Sequence, residues 1–179
     1  KQKTFFIAIA TILFIIPLFA LFPLEFTEKA HALDIGSTMG IAVGSDSTIF
    51  LAEGSGGMRA YREIDDTLKL IAHEYLGKLV SEIAIGPDGT IYLGAYYGGL
   101  YAYVFEDDIF VLKAFLDNFY TPYDIDVGQD NTVFVASLTH GIIAYKFDGS
   151  SLIQQAQYKN DETSYGVAVA EDNTIFMAN

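Results

Sequence analysis

One line of sequence, IAIGPDGTIYLGAYYGGLYAY over residues 83–103, is written again before and after itself at a fixed interval. That repetition constrains the chain more than any other feature. The copy opening at Ile41 reads IAVGSDSTIFLAEGSGGMRAY, the copy at Ile125 reads IDVGQDNTVFVASLTHGIIAY, and the copy at Val167 reads VAVAEDNTIFMAN. Each start lies 42 residues after the one before it, with no insertion. Self-similarity at such a period marks a repeat architecture, in which one unit cannot bury its apolar surface alone and does so against its neighbours.

Each unit reads as four strands. Residues 83–85 are apolar, Pro87-Asp88-Gly89 is a turn, and residues 90–94 are rich in β-branched and aromatic side chains. Asp-Gly supplies the positive φ that a tight hairpin needs, and the other copies use Asp46-Ser47, Asp130-Asn131 and Asp172-Asn173 there. A third strand follows Gly99, and a fourth, over 110–116, follows the acidic turn Glu106-Asp107-Asp108. The glycine before the third strand recurs as Gly57, Gly99 and Gly141, which implies a backbone position that only glycine fits.

The sidedness of these strands selects the fold. A sheet with one wet face alternates apolar and polar residues, whereas Leu100-Tyr101-Ala102-Tyr103-Val104-Phe105 is apolar on both faces. Each sheet must therefore be covered on both sides. Radial packing of four-stranded sheets in a β-propeller provides that environment at roughly 40 to 50 residues per blade. The expected fold is all-β: blades over 39–80, 81–122 and 123–164, and an incomplete fourth over 165–179. Propellers close with roughly 4 to 8 blades, so about three and a half blades predict a piece of a longer protein.

The start of the chain is different. Lys1-Gln2-Lys3 precedes an apolar run over residues 5–22, and Ala30-His31-Ala32 has the A-x-A pattern of a signal-peptidase site. Residues 1–32 read as a secretory signal or, alternatively, as an uncleaved helical anchor, since 18 residues lie at the short end of the membrane-spanning range. Either reading places the repeats outside the cell, secreted or at the surface, with membrane contact only through this segment. Residues 1–32 hold three of the ten basic and two of the 23 acidic side chains, so without them the net charge of −13 becomes −14. Such a surface repels nucleic acid. The chain has no cysteine, so disulfides and thiolate sites are excluded.

The segments GMRAY at 57–61, GLYAY at 99–103 and GIIAY at 141–145, together with the Gly-x-Asp-x-Thr turn that precedes each, carry a family likeness. Over about residues 39–179 the pattern resembles the LVIVD-type β-propeller repeat of exported bacterial and archaeal surface proteins, with NHL-type repeats as neighbours in pattern. One departure is that Tyr61, Tyr103 and Tyr145 stand where LVIVD repeats typically end the third strand with an acid. The resemblance implies a propeller and export, and no particular reaction.

Four up-and-down strands per blade put the second-to-third and fourth-to-first connections on one face, and the aspartate turns on the other. The turns barely differ between copies and read as structural: Asp46, Asp88, Asp130 and Asp172 suit hairpins in which a carboxylate bonds its own backbone. The opposite loops vary, and a rigid frame with variable loops is how repeat proteins build sites. Its candidates are Tyr96, Tyr97, Phe119 and Tyr120, amphipathic aromatics for a protein or carbohydrate, with His140 beside them. Packing between blades is the competing role for these tyrosines, and ordinary loop exposure that for His140. Asp126 replaces the alanine found at Ala42, Ala84 and Ala168, so it is expected to be buried near the axis and to need a partner. With Glu82 and Asp124 it makes an acidic mouth for a divalent cation, or else is satisfied by backbone donors. Two functions follow: a noncatalytic interaction module with no required cofactor, or a metal-dependent hydrolase, lactonase- or lyase-like, with an axial acidic site.

Overall fold

The computed structural model describes residues 37–117 and 120–179. The expected N-terminal helix and signal segment, and Phe119, lie outside them. Among the described residues, fourteen strands form three four-stranded antiparallel sheets and a hairpin. The first blade holds β1 (Gly40–Val43), β2 (Ile49–Ala52), β3 (Met58–Ile64) and β4 (Thr67–Glu74). The second holds β5 (Leu79–Ile85), β6 (Ile91–Tyr96), β7 (Gly99–Glu106) and β8 (Ile109–Leu116). The third holds β9 (Asp124–Val127), β10 (Thr132–Ala136), β11 (Ile142–Phe147) and β12 (Leu152–Tyr158), and the hairpin is β13 (Gly166–Val169) with β14 (Ile175–Ala178). Within every blade the strands pair in chain order, so the expected all-β, blade-like architecture stands.

The core lies between blades, and it has a polarity. Each blade turns a front face toward the next one. In the first blade this is Ala42, Phe50, Ala52, Met58 and Ala60; it meets Ile83, Ile85, Ile91, Leu93, Tyr101 and Tyr103 on the back face of the second. The same arrangement returns one step on, where Tyr92, Leu100 and Ala102 meet Ile125, Val133, Val135, Ile143 and Tyr145. It returns again where Phe134, Ala136 and Ala144 meet Val167, Val169 and Met177. In the second and third blades the Ala-Tyr pair that ends the third-strand motif thus serves two interfaces, the alanine facing forward and the tyrosine backward. A bulge between the two, at Ala60/Tyr61, Ala102/Tyr103 and Ala144/Tyr145, interrupts the register with the fourth strand in all three blades. An added residue of this kind increases local twist.

The turns behave as their composition implies. Asp46, Asp88, Asp130 and Asp172 each accept a hydrogen bond from the backbone N–H two residues on, at 2.9–3.0 Å. The residue after the aspartate has positive φ in every copy, at Ser47, Gly89, Asn131 and Asn173. Gly99 has φ +88°, and a Cβ there would stand 2.1 Å from the Leu116 carbonyl oxygen. Gly57 and Gly141 are held the same way against Glu74 and Tyr158.

One boundary differs from the sequence reading. The first strand of the second blade begins at Leu79, not near residue 83, because Val80 is fully buried and pairs with Ala95 before a bulge restores the register at Glu82.

Candidate binding face

The loops between second and third strands differ in backbone as well as in sequence, and a single proline accounts for it. In the first blade, the Val80 N–H bonds the Gly54 carbonyl at 2.9 Å; in the third, the Ser164 N–H bonds the Leu138 carbonyl at 3.0 Å. These bridges tie each loop to the segment entering the next blade, and Gly54 and Leu138 take positive φ to make them. The residue at that place after the second blade is Pro122, which has no N–H to give. The tie is absent there, so Tyr96 continues β6 opposite Leu79 and the positive φ moves to Tyr97, at 49°.

Freed in this way, Tyr96 opens a row of rings. Its ring lies 6.2 Å from that of Tyr97 and 5.3 Å from that of Tyr123, and Tyr123 lies 5.8 Å from Tyr165, all edge-on. The row crosses from the second blade to the entry of the fourth. Tyr123 and Tyr165 are fixed just ahead of β9 and β13 by their N–H groups, which bond the carbonyls of Ala136 and Ala178 at 2.9 Å. Tyr97 and Tyr165 are exposed, and Tyr96 and Tyr123 are half-buried. The sequence alone did not single out Tyr123 and Tyr165; the signal was their spacing of 42 in the slot before a first strand, where Met39 and Ser81 stand in the other copies.

Acids lie against this row. Glu82, half-buried in β5, has its carboxyl pushed up to about 7, first by burial and then by the charge of Asp124. Tyr96 is pushed up to about 12 by burial, by its contact with Tyr123, and by charge that includes Glu82. Glu82, Asp124, Tyr96 and Tyr123 therefore share one electrostatic neighbourhood.

Asp124 and Asp126 are engaged elsewhere. Asp124 accepts the N–H of Ile125 at 3.0 Å on Oδ1 and that of Val167 at 2.8 Å on Oδ2. Asp126 accepts Val127 N–H at 2.8 Å and Val169 N–H at 2.7 Å. The two carboxylates are straps from the third blade to the inner edge of β13. Asp126 is half-buried rather than fully enclosed. Among the described residues no group of three or more His, Cys, Asp or Glu is arranged to hold a metal ion.

Tyr120 and His140 form a second, separate pair, with ring centroids 4.2 Å apart. The His140 N–H bonds the Ser137 carbonyl and its own carbonyl accepts from the Gln157 amide at 2.8 Å, so the backbone that carries this ring is anchored. His73, on the outer strand β4, is exposed, with Nε2 2.6 Å from the Gly56 carbonyl. A buried ion pair joins Glu53 Oε2 to Arg59 Nη1 at 2.9 Å in the first blade; the other copies have Ala95 and Ser137 in place of the acid and Tyr101 and Ile143 in place of the base. Burial raises the Glu53 carboxyl.

A cleft of about 510 Å³ opens on the opposite, turn-bearing face, lined by Val43, Asp46, Phe50, Ile85, Phe105 and Gln129 among others. Asp46, the carboxylate in it, is already bonded to Thr48 N–H and Oγ1, and those bonds lower its pKa. The carboxylate of this cleft is thus engaged in its own turn, whereas the tyrosine row sets hydroxyls on an open surface.

No protein-family model and no curated protein matches this sequence. Solved structures do match. A protein from Lactobacillus plantarum aligns with TM-score 0.68 and 14% identity over 79% of this chain and 48% of that one. The computationally designed Ika4 protein aligns with TM-score 0.65 and 11% identity over 86% of this chain and 98% of that one. Virginiamycin B lyase from Staphylococcus aureus aligns with TM-score 0.61 and 13% identity over 79% of this chain and 48% of the enzyme. The chain thus spans about half the length of these natural proteins. At such identities the likeness speaks for the fold alone, and the fold is that of a β-propeller built from four-stranded antiparallel blades.

Proposed function

We infer that this chain is the propeller portion of an exported, surface-held interaction protein, noncatalytic, which binds a protein or a glycan on the face carrying the tyrosine row. The single observation that carries this reading is the row itself. Tyr97, Tyr96, Tyr123 and Tyr165 follow one another across three successive blades on the variable face, with Glu82 and Asp124 alongside. Aromatic rings with hydroxyl tips offer apolar area and hydrogen bonds together, at little conformational cost. Neighbouring carboxyls add acceptors for hydroxyl or amide groups. Export is supported by the basic head and the apolar run of residues 5–22. The third-strand motif supports an LVIVD-type repeat.

A second reading, a propeller enzyme, draws on two observations: the Glu82 carboxyl held near neutrality, where acid–base catalysis works best, and a lyase among the structural neighbours. Its metal-dependent form finds no support in Asp124 and Asp126, whose oxygens already accept backbone N–H groups.

Screening the full chain on glycan and protein arrays, followed by titration calorimetry of hits, tests the binding reading. Tyr96→Ala and Tyr123→Ala are expected to weaken a genuine hit at least tenfold each, since interface aromatics are commonly worth about 2 kcal/mol. Asp130→Ala, on the opposite face, should leave affinity unchanged. Hits indifferent to both tyrosine variants would refute the assignment of this face. Turnover abolished by Glu82→Gln would establish the enzyme instead.

A further inference from the structure

At the junction of the second and third blades stands a carboxyl without a compensating charge. Glu82 follows the bulge in β5, opposite Gly94, and is half-buried. Its counterpart one blade on, Asp124, is fully employed, each oxygen accepting a backbone N–H. Among the described residues the Glu82 carboxyl has no hydrogen bond and no ion pair; burial, and after it the charge of Asp124, oppose its ionisation. The other groups around it are Tyr96 and Tyr97 on the loop after β6, Tyr123 ahead of β9 and, from β1, the uncharged Gly40, whose Cβ would stand 3.4 Å from the Glu82 Cα. Lys78, four residues upstream, lays its stem 3.3 Å from where a Cβ on Gly98 would be and forms no ion pair among the described residues.

The rings beside Glu82 keep faces free. A stacked pair hides one face of each ring, as Tyr101 and Phe115 do at 4.4 Å and 25°. Tyr96 instead meets Tyr97 at 6.2 Å and 64°, and Tyr123 at 5.3 Å and 62°. An edge-on contact covers one face of the two rings, and the open faces carry the negative part of the ring quadrupole. A cation is attracted to such a face within about 6 Å of the ring centre. Acids also outnumber bases around the site: the connections over 75–78, 117–123 and 159–165 carry Asp117, Asp161 and Glu162 against Lys78 and Lys159, and Glu82 and Asp124 add to the acids. Such a surface steers a positively charged partner toward itself. A neutral glycan would meet the rings and leave the acid pair uncompensated.

We propose that this junction receives a basic side chain of a protein partner, its charge set between the faces of Tyr96, Tyr97 and Tyr123 and the carboxylates of Glu82 and Asp124. The proposal rests on the reading of the tyrosine row as the binding face and narrows it, selecting a cationic protein segment over a neutral glycan. Binding is then coupled to ionisation. A Glu82 carboxyl that holds its proton until about pH 7 must release it to meet the cation, so the complex tightens as pH rises through that value.

The probe is N-acetyl-pentalysine amide, compared with the same peptide acetylated at every Nζ as well. Each is titrated calorimetrically into the full chain in a mild nonionic detergent, which keeps the apolar run of residues 5–22 from associating. The lysine peptide should bind and the acetylated one should not. Glu82→Gln should weaken binding about fivefold. Tyr96→Leu should weaken it about threefold, while Tyr96→Phe, which keeps the ring, should match wild type. Asp130→Asn, on the turn face, should change nothing. From pH 6 to pH 8 the wild type should gain about threefold in affinity and Glu82→Gln should gain less, a comparison that cancels His140 because both proteins share it. A common strand-type circular-dichroism spectrum verifies the folds; should Glu82→Gln unfold, the two Tyr96 variants carry the test. Equal binding of the two peptides, binding of neither, or a lysine peptide indifferent to both Glu82→Gln and Tyr96→Leu would overturn the proposal. The binding face stands or falls separately. A neutral glycan lost in Tyr96→Leu, with no lysine binding, would refute the cation and keep the face, whereas array hits indifferent to Tyr96 and Tyr123 would refute both.

Discussion

The turn face and the tyrosine face of these blades are built from the same four strands, yet they use them in opposite ways. On the turn face the four copies converge: an aspartate closes on its own backbone, the next residue takes positive φ, and Asn131 reaches the Asp88 N–H of the preceding blade at 3.1 Å. On the other face the copies diverge. Two loops are tied to the following blade and one is free, and the free one carries Tyr96 and Tyr97. The lesson is that repetition in this chain marks geometry that every blade must satisfy. Departures from repetition mark where one blade does something the others do not.

The strongest challenge to that distinction lies within the tyrosine face, where one position is shared by all three full blades. Gly99 stands at the foot of the most divergent loop but is fixed by the frame, with φ +88° and the Leu116 carbonyl 2.1 Å from any added Cβ. Gly99→Ala should cost about 3 kcal/mol, through the strained φ and the displaced carbonyl together. Urea denaturation checks it. A loss under about 1 kcal/mol would mean that repetition at this point reflects something other than backbone geometry.

A smaller effect, with a pH signature, sharpens the comparison at the acids. Glu82 departs from its counterparts Gly40, Asp124 and Gly166, and its folded pKa of about 7 lies above the ordinary 4.5. A raised folded pKa contributes stability that is fully present below pH 4.5 and is lost as pH rises through 7. Wild type should therefore lose ground to Glu82→Gln between pH 4 and pH 8. The difference should reach about 1 kcal/mol, after allowing for solvent that screens a half-exposed group. Thermal melts of both proteins across that range give the double difference. Parallel curves would show that Glu82 titrates normally and that the acid pair is not coupled in the way described.

How far the sequence announced these features depends on whether the governing contact is local. The period of 42, the aspartate turns and the glycine before each third strand were legible because each depends on residues a few positions apart and is stated several times over. The apolar character of both faces of residues 100–105 was enough to require cover on each side. The straps from Asp124 and Asp126 to Val167 and Val169 were not legible as such, because they cross between blades 43 residues apart and are made once. The same holds for the tyrosine row, whose members Tyr96 and Tyr123 meet across a blade boundary. Pro122 was the available clue. It breaks the repeat at the one place where an N–H is used by the other copies, and its effect appears 26 residues earlier, at Tyr96.

The smallest expected change in stability belongs to the residue that departs furthest from the frame. Tyr97 is 82% exposed and sits at φ 49°, a conformation that favours glycine, with its ring at the end of the tyrosine row. Burial cannot be the reason for this residue, and backbone preference opposes it. Tyr97→Gly removes the ring and the strain together, so the two contributions to folding nearly cancel and stability should stay within about 0.5 kcal/mol of wild type. If the ring is there to meet a partner, affinity for any ligand found on this face should nevertheless fall by about tenfold, near 1.4 kcal/mol. Paired urea and calorimetric titrations of the same preparations separate the two quantities. A stability loss above about 1 kcal/mol with affinity intact would reverse the assignment, making Tyr97 part of the frame and leaving the free loop of the second blade without the role given to it here.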